Sequence, residues 1–104
     1  MFVKMYQYHI QEDKVDKYFQ IQEKASVVNS QYIESHTMYL NSKADNTRWI
    51  EITRYKDEKE YIKSLKLINQ QEEIQKLFQS LLLTGKEEII EEDFEIYIKK
   101  GEWK

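Results

Sequence analysis

Tyr6, Tyr8, Tyr39, Trp49, Glu51, Tyr55 and Tyr97 are the side chains of this chain best suited to hold or act on a small molecule. They lie in segments of alternating character. Residues two apart on a strand point to one face, so all seven are expected on one side of a sheet. Tyrosine and tryptophan supply flat apolar walls with one hydrogen-bonding handle each, which suits a small aromatic or apolar ligand. Glu51 adds a carboxyl group. Desolvation would raise its pKa toward working pH, where it can take a proton from a phenol-like substrate. Glu95 or a histidine could serve as that base instead, so no catalytic residue is assigned. The competing reading is that these aromatics pack the core between two copies of the chain.

The remaining chemistry is sparse. His9 and His36 stand near strand ends with no fixed spacing, which fits hydrogen-bonded structural residues and gives no metal site. Their parity puts them on the opposite side of the sheet, the side expected under the helices. Glu51, Glu91, Asp93 and Glu95 could gather across neighbouring strands, with Lys4, Lys99 or Arg54 as pairing partners. There is no cysteine, so disulfide and thiolate chemistry are excluded. No cofactor motif is present, and the expectation is no cofactor and no metal. Trp103 lies near the C-terminus, where it would dock on a partner subunit, cap a pocket mouth or pack locally.

The elements that must position these groups follow from periodicity. Residues 2 to 10 alternate and read as a strand, and 12 to 29 take helical spacing, with Val15, Tyr18, Phe19, Gln22, Ala25 and Val28 on one stripe. Ile33 to Leu40 alternate again. Asn41 to Asn46 is a dense turn signal, and 47 to 56 forms a strand that closes a hairpin with its predecessor. Asp57 and Glu60 make a capping-box-like pair at the start of a helix. The apolar set Tyr61, Ile62, Leu65 and Ile68 then falls out of phase with Ile74, Leu77, Phe78, Leu81 and Leu82, so a break is expected at 69 to 72. There, Asn69 and Glu72 would cap the second piece. Gly85 is expected to close it in a left-handed conformation, and a last strand would run from about 88 to 99.

This order, β-α-β-β-α-β, predicts a ferredoxin-like α+β fold: a four-stranded antiparallel sheet with helices on one face, in a single domain over residues 1–104. The strands carry two unlike faces. Val3, Met5, Met38, Leu40, Ile50, Ile52, Phe94, Ile96 and Ile98 form an aliphatic face, expected to lie beneath the helices. The aromatic and polar face would then be left open. It is too aromatic for water, so a second copy of the chain is expected to cover it and make a homodimeric α/β barrel.

At this point the chain resembles the dimeric α/β-barrel superfamily, and within it the small antibiotic-biosynthesis-monooxygenase-like proteins. The resemblance covers nearly the whole chain in element order. It is most specific over Trp49-Ile50-Glu51-Ile52-Thr53-Arg54-Tyr55-Lys56-Asp57-Glu58-Lys59-Glu60-Tyr61, where a strand ending in an aromatic residue runs through an acidic cap into a helix. It implies a homodimer that is either a cofactor-independent oxygenase or a binder of a small aromatic ligand. Haem-degrading relatives take a histidine ligand from the second helical region. Residues 61 to 82 contain none, so haem is not expected.

Other functional classes fare less well. A non-catalytic dimeric assembly or regulatory module shares every feature above. RNA-recognition domains share the element order, but the strand Thr47 to Lys56 lacks their glycine-containing basic-aromatic motif, and acids stand where a phosphate backbone would lie. The net charge of -3 likewise argues against nonspecific DNA binding, and no nucleic-acid partner is expected. The first residues carry Lys4 within an apolar stretch and read as a strand, no segment approaches transmembrane length, and a cytoplasmic protein with no membrane partner is expected.

Overall fold

The computed structural model describes residues 1–97. Strand β1 (Phe2–His9) leads through a single 3₁₀ turn (Glu12–Lys14) into helix α1 (Val15–Ser30), and β2 (Ser35–Asn41) and β3 (Arg48–Tyr55) follow as a hairpin. Helices α2 (Glu58–Asn69) and α3 (Glu72–Ser80) then precede β4 (Ile90–Glu95). The strands pair antiparallel in the order β2-β3-β1-β4, the ferredoxin-like arrangement that the element order predicts.

The helices, however, cover the opposite face from the one expected. Tyr8 and Trp49 are buried under α1 and α3 in a cluster with Ile10, Tyr18, Ile21, Leu81 and Leu82, and Tyr55 and Tyr61 are buried with Ile33 beside α2. The aliphatic face is the open one. Its β2 and β4 residues are exposed, Met38 at 55%, Leu40 at 41% and Phe94 at 45%. His9 and His36 share that open side, opposite Arg48 and Arg54 in the register. Period two separates two faces but does not label them. Which one the helices cover depends on the handedness of the crossovers, and alternation holds no trace of that. Burying the aromatic face is tolerable because its hydroxyls find partners inside: Tyr8 with Tyr18 at 2.6 Å and Tyr6 with Tyr61 at 3.1 Å.

Two of the local signals held. Asp57 caps α2, its Oδ1 accepting the Glu60 N–H at 2.9 Å. The helical break falls at Gln70–Gln71, as the phase slip predicts. The expected cap on α3 is absent, since Gln71 occupies the N-cap without a side-chain bond. Instead Gln75 Nε2 donates to the Ile68 carbonyl at 3.2 Å and Asn69 Oδ1 at 3.1 Å, tying the two helices together. Gly85 does not end α3. It is the third residue of a turn closed by the Lys86 N–H to Leu83 carbonyl bond at 2.9 Å, where its φ of +88° favours glycine. That turn follows the point where Leu82 and Leu83 dock on the end of β1, Leu83 N–H donating to His9 O at 2.9 Å. β4 is shorter than expected, ending at Glu95. Ile98, Lys99 and Trp103 lie outside the described residues. Among the described residues, no helix is long and apolar enough to cross a membrane.

Candidate functional site

A cavity of about 480 Å³ lies between the sheet and helices α1 and α2. Its floor comes from the face read as aromatic and polar, with Tyr6, Tyr39, Glu51, Thr53 and Tyr55. Phe19, Gln22, Ser26 and Asn29 of α1 and Tyr61, Ser64 and Leu65 of α2 make the roof. The floor residues share a row by register: Tyr39 opposes Glu51, and Glu51 opposes Tyr6. One turn of α1 brings Tyr18, Phe19 and Gln22 down onto that row.

Four of the seven candidate residues, Tyr6, Tyr39, Glu51 and Tyr55, therefore line one cavity. Tyr8 and Trp49 lie in the adjoining core. Tyr8 reaches the site through its hydroxyl, which donates to Glu51 Oε1 at 2.9 Å, while Trp49 packs on Tyr18 and Phe19 with centroids 5.2 and 5.5 Å away. Tyr97 is not brought to the cavity. It follows the end of β4 and is 86% exposed.

Hydrogen-bond directions are determined by donor counting. Tyr8 spends its one proton on Glu51, so its oxygen accepts from the Tyr18 hydroxyl at 2.6 Å. Gln22 Nε2 donates to the same Glu51 Oε1 at 3.2 Å, and its Oε1 accepts from Tyr39 Oη at 3.4 Å. Both donors thus converge on one carboxyl oxygen. Oε2 takes no hydrogen bond among the described residues, which leaves it available to a guest.

Burial pushes the Glu51 carboxyl above the usual carboxylate range, against the pull of the Tyr8 and Gln22 bonds. Burial also raises the hydroxyls of Tyr6, Tyr8, Tyr18, Tyr39 and Tyr55, which stay protonated at neutral pH. Glu51 is accordingly the group in this network poised to exchange a proton.

Beside the cavity, Lys4 is buried on the helix-covered face and binds Asp93 at 2.7 Å and Glu91 at 3.0 Å. Burial works against its charge, but those bonds outweigh it and lift its pKa above the ordinary lysine range. Two of the acids read as a cross-strand cluster are thus paired by Lys4. His9 bonds Thr47 Oγ1 through Nδ1 at 3.0 Å at the hairpin end, a structural tether.

Sequence reasoning did not single out Asn29, Tyr61, Ser64 or Gln22 as site residues. Gln22 alone left a signal, a polar residue on an otherwise apolar helical stripe. Asn29 donates to Ser64 Oγ at 3.2 Å, and its Oδ1 is buried without a partner among the described residues. Contacts of this kind arise where two helices converge on the sheet, and spacing within one helix does not encode them.

No protein-family model matches the chain, and no curated protein matches its sequence. Solved structures do match. An antibiotic biosynthesis monooxygenase superposes with a TM-score of 0.70 at 9% identity, over 94% of this chain and 100% of that one. SnoaB from Streptomyces nogalater, a cofactor-independent oxygenase, gives 0.71 at 7% identity over 97% of each chain. A dimeric ferredoxin-like protein from an uncultured marine organism gives 0.69 at 9% identity, over 94% and 91%. The chain has the fold of antibiotic-biosynthesis-monooxygenase-like proteins, as the residues around Trp49 to Tyr61 led us to expect. At these identities the likeness is one of fold.

Proposed function

We propose that this chain is a homodimeric binder of a small aromatic molecule, held between sheet and helices, with Glu51 as the acid–base group of a cofactor-independent oxygenase-like reaction. The observation that carries the reading is the Glu51 carboxyl: it lines an aromatic cavity, one oxygen is saturated by Tyr8 and Gln22, and the other is free to meet a ligand. In its carboxylate form it can take a proton from a bound phenol-like group. Tyr6, Tyr39 and Tyr55 supply ring walls that exclude water, and the Tyr18–Tyr8 chain steadies the negative charge on Oε1. The fold likeness to a cofactor-independent oxygenase agrees with this chemistry.

Dimerisation uses the open face. Met38, Leu40, Ile90 and Phe94 expose an apolar surface across β2 and β4, and Met5, Ile50 and Ile52 continue it through the middle strands. A second copy placed on the same face by a two-fold axis would bury it. A dimeric ferredoxin-like protein of the same fold agrees with a homodimer.

Binding is tested by titrating phenol and 2-naphthol into the W103F variant, which leaves Trp49, packed on the cavity residue Phe19, as the reporter. Saturable quenching is expected, and it should vanish in W103F carrying Ser26→Phe, which fills the cavity from α1. Quenching that is linear, or unaffected by Ser26→Phe, would place the ligand elsewhere and refute the site. Catalysis is tested by dioxygen uptake with bound phenols. Uptake that does not depend on Glu51 would exclude the acid–base role.

A further inference from the structure

We propose that the cavity selects aromatic ligands that carry a positive charge, an aryl-alkyl ammonium being the simplest, seated with the cation between Glu51 Oε2 and the tyrosine rings. The inference rests on the cavity reading above and adds the charge class of its ligand. Three independent observations carry it.

The first is the charge of the lining. Among the described residues, Glu51 and Glu23 line the cavity, and no lysine, arginine or histidine does. An anionic ligand would meet two carboxyl groups with no cation to offset them, and a neutral one would leave the Glu51 charge uncompensated. A cation offsets it directly.

The second is the aromatic wall. Tyr6, Tyr39, Tyr55, Tyr61 and Phe19 all face the same space. Ring faces attract cations, and several around one space form an ammonium cage. The molecule already uses part of this wall in that way. Lys4 Nζ lies 5.4 Å from the centroid of Tyr6 and 5.3 Å from that of Tyr61, both also cavity residues. Asp93 and Glu91 neutralise that ammonium, so its charge does not oppose a second cation in the cavity.

The third is the orientation of Glu51. Tyr8 and Gln22 hold Oε1, and Oε2 is free to form an ion pair. Burial raises the carboxyl's pKa in the empty protein, whereas a neighbouring cation lowers it, so cation binding and proton release are coupled. Tyr8 and Gln22 bond Glu51; the other titratable or charged groups on its sheet face or in its cavity are Tyr6 and Lys4 from β1, Tyr18 and Glu23 from α1, Tyr39 from β2, Tyr55 from β3, Tyr61 from α2 and Glu91, Asp93 and Glu95 from β4. The tyrosines among them with raised pKa remain protonated over the assay range.

The test is isothermal titration calorimetry of the full chain with benzyltrimethylammonium, benzyl alcohol and benzoate, which carry a positive, no and a negative charge on a phenyl ring. The quaternary ion cannot itself titrate, so any pH dependence belongs to the protein. We expect benzyltrimethylammonium to bind at least about tenfold more tightly than benzyl alcohol at neutral pH and above, as a desolvated cation–ring contact and an ion pair allow, with benzoate weakest. Its affinity should fall as the pH is lowered through the Glu51 titration, and binding should release a proton, seen as a heat that varies with the buffer's ionisation enthalpy. In E51Q the preference for the cation over the alcohol should shrink severalfold, while alcohol binding persists. Should that variant fold poorly, the pH dependence of the unmodified chain reports the same linkage. Benzyl alcohol binding as tightly as the cation would overturn the charge selectivity and leave the aromatic site standing. Failure of all three to bind would overturn both.

Discussion

Glu51→Gln removes a charge while preserving shape, and the fold makes the sign of its effect on stability unusual. Burial holds the folded carboxyl above the ordinary range, despite the bonds from Tyr8 and Gln22, whereas in the unfolded chain it titrates near 4.5. Between those two values the folded state binds more protons than the unfolded one, so this group's contribution to stability declines as pH rises through the window and levels off above the folded value. A single proton is involved, which bounds the slope at about 1.4 kcal/mol per pH unit. The nearby tyrosines cannot blur that slope, because burial moves their titration further up. In E51Q the amide oxygen can still accept from Tyr8 and Gln22, and no charge needs to be buried. Urea unfolding of both proteins at one fixed concentration, from pH about 4 to about 8, measures the difference directly. We expect the two to match at the acid end, and E51Q to become the more stable protein as pH rises, by an amount that grows no faster than the one-proton slope. A difference independent of pH, or an unmodified chain that gains on the variant as pH rises, would refute the assignment of Glu51 as a charge held against desolvation.

Other expected outcomes are more local. Met38→Glu combined with Leu40→Glu places two charges on the exposed apolar face, and light scattering should then give the monomer mass with unchanged far-UV circular dichroism. A persistent dimer would move the interface elsewhere. Tyr18→Phe removes the donor to Tyr8 Oη in a fully buried position and should cost about 1–3 kcal/mol in urea unfolding, the penalty of an unpaired buried oxygen. Lys4→Met removes the cation that joins β1 to the acids of β4. Because Glu91 and Asp93 are more than half exposed and can turn to water, the loss should be only about 1 kcal/mol. It should appear first as faster amide exchange in β4.

Much of the architecture was legible in the chain. Four alternating segments and two helical regions in the order β-α-β-β-α-β admit few compact topologies, and the observed sheet is the one those rules favour. The break between α2 and α3 was legible as a phase slip, and the cap at Asp57 as a spacing. The grouping of Tyr6, Tyr39, Glu51 and Tyr55 on one face followed from period two, and cross-strand register then set Glu51 between Tyr6 and Tyr39. These features depend on residues near one another in sequence or on a repeat that every strand shares.

What the tertiary structure alone decided is which side of that sheet is inside. The aliphatic face looked like the natural bed for two helices, yet Tyr18, Phe19 and Phe78 descend onto the tyrosines, and Met38 and Phe94 remain outside. The helices' own aromatic and amide side chains can satisfy the tyrosine hydroxyls and the Glu51 carboxyl, and that complementarity exists only once α1 lies across β3. It also set the cavity between the sheet and its own helices, on the face that alternation had left open. Tyr97 falls away from the site because β4 ends before it, and Gln22 and Asn29 join because a helix crosses overhead. Periodicity sorts side chains onto faces. Assigning a face to core, cavity or partner takes the contacts between elements distant in sequence, which no local pattern records.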